Sequence, residues 1–117
     1  MRTAIFTVRS LLALALLVPF ATHADRISDM SHTELCVYKA KLLAAGYWYY
    51  REGRARKDVA IQWHGDETEN EKQFVERTID EAYQTADTDH RSNPNVYMSE
   101  QAFGDRAYDA CKSAHGT

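Results

Sequence analysis

The stretch LCVYKAKLLAAGYWYY, Leu35 to Tyr50, contains no charge except Lys39 and Lys41. Leu35, Tyr38, Leu42, Ala45 and Tyr49 recur at spacings of three and four, with Cys36, Leu43 and Tyr50 beside them, which predicts a helix apolar around most of its girth. Such a helix is central to a bundle or offers a large aromatic face to a partner. Its start is marked by Ser31-His-Thr-Glu34, a capping box in which the serine oxygen and the glutamate each take one orphan amide. Its stop is Gly53, just past Arg51 and Glu52, since glycine takes the left-handed cap without strain.

The flanking chain reads as helix too. Ala55, Val59 and Trp63 at i, i+4 and i+8 predict a short helix over Arg54 to His64, ended by Gly65. Asp66 or Thr68 caps a third segment, whose acidic first turn (Glu67, Glu69, Glu71) suits the helix dipole. Its buried stripe is Val75, Ile79, Ala82, Tyr83 and Ala86, with Phe74 at the margin. The run DTDHRSNPN, Asp87 to Asn95, reads as turn chemistry. A last helix from about Ser99 presents Phe103, Ala107, Ala110, Cys111 and Ala114 on one face. No segment alternates convincingly and no Asn-Gly or Asp-Gly hairpin occurs, so the expected fold class is all-α, a compact bundle of about four helices. There is no internal repeat or low-complexity tract.

Residues 1–24 have the pattern of an export signal: Arg2 and Arg9, an apolar run from Leu11 to Phe20, then small residues before a cut ahead of Asp25. About ten apolar residues are half of the ~20 a membrane-spanning helix needs. The expected mature domain is therefore 25–117, periplasmic or secreted. Without Arg2 and Arg9 it is two units more negative than the chain's −3, which argues against nucleic acid and anionic membranes as partners. An oxidising compartment favours pairing of the two cysteines, Cys36 and Cys111, which would pin the first long helix to the last. The chain-entropy model gives such a loop roughly 4 to 5 kcal/mol, against a total of about 5 to 15 kcal/mol for a domain. No Cys-x-x-Cys marks a redox pair.

Constellations with chemistry are sparse. Arg51, Arg54, Arg56 and Lys57 follow Trp48, Tyr49 and Tyr50, and arginines beside aromatics can clamp anions; the acidic run Asp66, Glu67, Glu69, Glu71 offers them an intramolecular partner instead. His64 with Asp66 and Glu67, and His90 among Asp87, Asp89 and Asn93, have no recognised metal spacing, and Arg91, Ser92 and Ser99 break the calcium-loop pattern that begins at Asp87. No nucleophile elbow, phosphate loop or placed acid pair occurs, so neither metal, cofactor nor catalysis is expected.

Of the seven tyrosines and two tryptophans, six lie between Tyr38 and Trp63. A small bundle uses aromatics as core. Yet Tyr47, Trp48 and Tyr50 cannot all face one core that Tyr49 already faces, which makes Tyr47, Trp48, Tyr50, Arg51, Arg54, Arg56 and Lys57 the candidate binding face.

Cys36 early in a first helix, Arg51-Glu52-Gly53 at its end, Ala82-Tyr83 in the third helix, and Phe103 followed by a closing Cys111 together resemble a diffuse group of small exported two-cysteine bacterial proteins. That resemblance implies a helical fold and an exported compartment, and no activity. In size, compartment and single disulfide the chain is also similar to periplasmic acid-stress chaperones. The expected function is binding of a protein or envelope component without catalysis; the alternatives are an acid-stress-type chaperone and an immunity or inhibitor protein against a toxin or wall-degrading enzyme.

Overall fold

Asp25 accepts the Ile27 amide at 3.0 Å and so caps a single helical turn, α1 (Arg26–Asp29), which opens the computed structural model; residues 25–116 are described. The expected export signal lies outside the described residues. The Ser31–Glu34 capping box is present in both directions, at 3.1 and 2.8 Å, and starts α2 (His32–Arg51). At the other end Gly53 takes φ 83°, its amide donates to the Tyr50 carbonyl, and the Arg54 amide reaches back to Tyr49 at 3.1 Å. These two reversed bonds satisfy carbonyls that the last turn would otherwise leave open.

The helix expected over Arg54 to His64 does not form. Only a 3-10 turn, Arg56–Asp58, is helical there, and residues 59–63 are irregular. Val59, Ile61 and Trp63 turn inward while Ala60 and Gln62 are exposed, an alternation of period two that overlies the spacing of four between Ala55, Val59 and Trp63. Extended backbone here gives three inward side chains in five residues; a helix would have pointed Ile61 away from the other two.

Thr68, not Asp66, caps α3 (Glu69–Ser92), through a second capping box with Glu71. This helix runs through the segment read as a turn and ends at Asn93, the residue before Pro94. Its last turns are held from outside: Asp87 accepts from the Tyr50 hydroxyl and pairs with Arg91 one turn on, and Asp89 pairs with Arg106 at 2.6 Å. Ser99 accepts the Ala102 amide at 3.0 Å and caps α4 (Glu100–Gly116). Among the described residues there is no strand, and no helix is long and apolar enough to cross a membrane.

α3 and α4 both pack on α2, and α1 sits against the start of α3. α4 lies antiparallel to it, with the Cys36–Cys111 disulfide at one end and Tyr47 stacked on Phe103, ring centroids 4.2 Å apart, at the other. α3 lies parallel to it: Tyr38 stacks on Phe74 near the starts of both helices, and Tyr50 meets Asp87 near their ends. A parallel pair needs a return connection, and the irregular linker supplies it by running back along α3. The Arg54 carbonyl accepts from the Tyr83 hydroxyl, Arg56 reaches Asp80 and Glu76, and Asp66 meets Arg26.

Two apolar clusters result. The first holds Tyr38, Leu42, Ala45, Tyr49, Val59, Val75 and Ile79, with Trp48, Ile61, Trp63, Phe74 and Tyr83 packed against it. The second holds Leu43, Tyr47, Ala82, Ala86 and Phe103, with Tyr50, Met98 and Ala107 beside it. Ala110 and Ala114, expected on the inner face of α4, are exposed; Gly104, Ala107, Tyr108 and Cys111 line that face with Phe103 instead. The helices approach closely at Gly46, where a Cβ would stand 2.7 Å from Ala82 Cβ, and at Gly104, where it would stand 3.4 Å from Ala44 Cβ.

Candidate functional site

At the end of α2 remote from the disulfide, three elements converge: the last turn of α2, the last turn of α3 and the loop 93–99. The Tyr47 hydroxyl donates to the Met98 carbonyl at 2.6 Å and Arg51 donates to the same oxygen at 3.3 Å, so the loop is tied to α2 from two side chains. Tyr97 stacks on His90, centroids 5.1 Å apart, and the Arg51 guanidinium lies 4.9 Å above the Tyr97 ring. A cavity of about 130 Å³ opens beneath, lined in part by Tyr47, Asp89, His90, Met98 and Arg106. His90 Nδ1 is buried there with no hydrogen-bond partner. Val96 and Tyr97 also line this cavity, and are 67% and 47% exposed.

The expected binding face is divided by this geometry. Tyr47 is core, at 3% exposure, and burial raises its phenol's pKa. Trp48 and Tyr50 are half-buried, Trp48 edge-on to Tyr49 and Tyr50 edge-on to Tyr83. One core could not have taken Tyr47 and Tyr49 together, since residues two apart point to nearly opposite sides of a helix. A helix with a cluster on either side takes both. Arg51 and Arg54 are exposed and lie over aromatic rings, Arg54 5.2 Å above Tyr49. Arg56 is committed: burial works to lower its pKa, but Glu76 at 2.6 Å and Asp80 at 2.5 Å outweigh burial and raise it. Lys57 is exposed.

The acidic run does not face the basic one. Asp66 and Glu71 bind Arg26, whose side chain is 6% exposed; Glu71 also accepts the Arg26 amide at 2.5 Å, tying α1 to the start of α3. Glu67 accepts the His64 and Gly65 amides at 2.7 and 2.9 Å. Burial works to raise its pKa, and these bonds hold it below the ordinary carboxylate value. Near His90, Asp87 and Asp89 are engaged by Arg91 and Arg106 rather than arranged around a cation.

Val96 and Tyr97 escaped the sequence reading because they follow a run of turn formers. Their signal was two large apolar residues directly after Asn93-Pro94-Asn95. His32 was missed as well. It sits one helical turn before Cys36, with Nε2 3.4 Å from Cys36 Sγ and 3.2 Å from the Cys111 carbonyl oxygen, so a histidine lies beside the disulfide. No protein-family model, no curated protein and no solved structure matches this chain.

Proposed function

We propose that this chain is a non-catalytic binding domain of an oxidising, exported compartment, and that it engages a partner protein through Val96 and Tyr97 with Arg51 at their edge. The observation that carries the reading is an outward apolar pair on a loop that is fixed from behind. Two donors on the Met98 carbonyl and the His90 ring hold the loop before any partner arrives, so little ordering remains to be done on binding. An exposed tyrosine and an arginine are also among the residue types enriched at protein interfaces. The Cys36–Cys111 disulfide suits a compartment without cytosolic reductants.

A photo-crosslinking side chain placed at position 97 of the exported protein tests this, with exposed Gln84 as the control position. The expected result is one discrete product from position 97 and none from 84. Against the isolated partner, Tyr97→Ala should weaken binding at least tenfold, since hot-spot aromatics contribute about 2 kcal/mol or more. Its melting temperature should hardly move, because surface changes usually stay within about 0.5 kcal/mol. The same products from both positions, or none from either, would overturn the reading. A toxin or wall-degrading hydrolase as the captured partner would narrow it to an inhibitor.

A further inference from the structure

At the opposite end of α2 the fold gathers three donor atoms that suit one class of metal ion. His32 and Cys36 come from consecutive turns of α2, and Cys111 is brought in by α4 with its Cα 5.6 Å from that of Cys36. One ligand atom from each of the three lies within 4.8 Å of the others. A tetrahedral Zn²⁺ site has bonds of about 2.3 Å to sulfur and about 2.0 Å to nitrogen, which places its donors about 3.5 to 3.8 Å from one another. The 3.4 Å separation of His32 Nε2 and Cys36 Sγ is already close to one such edge.

In the oxidised chain the two sulfurs bond each other and offer no thiolate. Reduction changes the donor set, because cutting the bond lets the sulfurs move out to non-bonded contact, and an ion shared by all three ligands would then hold α4 to α2 where the disulfide did. Cys36 is fully buried, which shields one ligand from solvent, while His32 and Cys111 are half-buried and leave a way in.

We propose that reduction of Cys36–Cys111 by a dithiol turns this end of the molecule into a binding site for a soft d10 cation of the Zn²⁺ class, with two thiolates and one imidazole as ligands. The dithiol is oxidised to its own disulfide while Cys36 and Cys111 take up the two electrons and two protons. Binding then releases both thiol protons to solvent. His32 serves as the neutral ring with a lone pair on Nε2, giving up its contact with the Cys111 carbonyl. Two thiolates balance the charge of a divalent ion, and the fourth corner takes water or an outside ligand. This site is independent of the partner face around Tyr97.

The test uses the mature protein reduced with a phosphine, titrated with Zn²⁺ against a chromophoric chelator and with Co²⁺ as a spectroscopic substitute. Reduced wild type should bind one equivalent, with thiolate-to-cobalt charge transfer and the intense visible bands of four-coordinate Co²⁺. The oxidised protein should bind none. His32→Ala should weaken Zn²⁺ binding at least tenfold, by the measure that even outer-shell partners of a ligand matter about 10- to 100-fold. His64→Ala should leave it unchanged. Where reduction unfolds the chain, one equivalent of Zn²⁺ should restore the helical circular dichroism of wild type and not of His32→Ala. Equal binding by wild type and His32→Ala would show only two thiols on a chain, and would overturn the proposal. So would no binding, or binding by the oxidised form.

Discussion

α2 is held on its two sides by different means. Toward α3 it meets a stripe of Val75, Ile79 and Ala82, and the linker lays Val59, Ile61 and Trp63 over the cluster that holds Val75 and Ile79. Arg56 and the buried Arg26 clip that cover in place. Toward α4 the seam is as extensive but built of smaller groups: one stacked ring pair with Leu43 and Ala107 beside it at one end, Gly104 against Ala40 and Ala44 in the middle, and a covalent bond at the other end. Apolar area can hold a helix only where large side chains supply it. α4 offers Phe103 and otherwise small or half-buried groups, so the disulfide adds to the α4 seam what large side chains supply toward α3.

Removing that bond is the sharpest way to break the comparison. Replacing Cys36 and Cys111 by serine opens a loop whose ends are 75 residues apart, which the chain-entropy model values at about 4.5 kcal/mol. Hydrogen exchange on this variant should show α4 amides exposed well before those of α3, as the seam that has lost its covalent bond opens locally. Equal loss of protection in both helices would mean the seams do not differ.

The two glycines sharpen the contrast at single-methyl resolution. Gly46→Ala drives a methyl to 2.7 Å from Ala82 Cβ in the packed seam and should cost about 1 to 3 kcal/mol in urea unfolding, despite alanine's better helix propensity. Gly104→Ala meets Ala44 at 3.4 Å, ordinary contact, so propensity should win and stability rise by up to about 1 kcal/mol. Matching signs for the two would refute the difference in packing.

Acid gives the smallest and most local effect. Because the folded pKa of Glu67 lies below its ordinary value, its contribution is complete above the unfolded value near pH 4.3 and fades as pH falls through the folded one. Amide shifts of His64 and Gly65 should therefore move below about pH 4 while the Tyr47–Phe103 contact stays intact. A simultaneous change at both places would instead indicate global unfolding, the behaviour of an acid-triggered chaperone.

The Ser31–Glu34 capping box, the central helix and the α3 stripe could be read from residues a few positions apart, since each rests on local spacing, and the pairing of the cysteines could be read from there being one possible partner. What could not be read depends on distant neighbours. Asp87 to Ser92 look like a turn until Tyr50 and Arg106 arrive to hold them in a helix. Ala55, Val59 and Trp63 fit a helix and an extended strand equally, and only the need for a return path along α3 decides. The candidate face shifted from Tyr47 to Tyr97 because one helix face was assumed to be the core, whereas α2 is packed on both sides. His32 lay in plain spacing four residues before Cys36, and was passed over because the ring acts with a residue on another helix.

The placement of the indoles makes the two seams separately visible to light. Both tryptophans of the chain, Trp48 and Trp63, pack on the first cluster, and the second contains none. Intrinsic tryptophan emission thus reports on α2, the linker and α3, and is nearly blind to the undocking of α4. Far-ultraviolet dichroism counts all the helices alike. A melt followed by both signals in one cuvette should superimpose in the oxidised protein and separate in the reduced one, dichroism falling first, so that fluorescence alone would report an intact protein after one helix had already left.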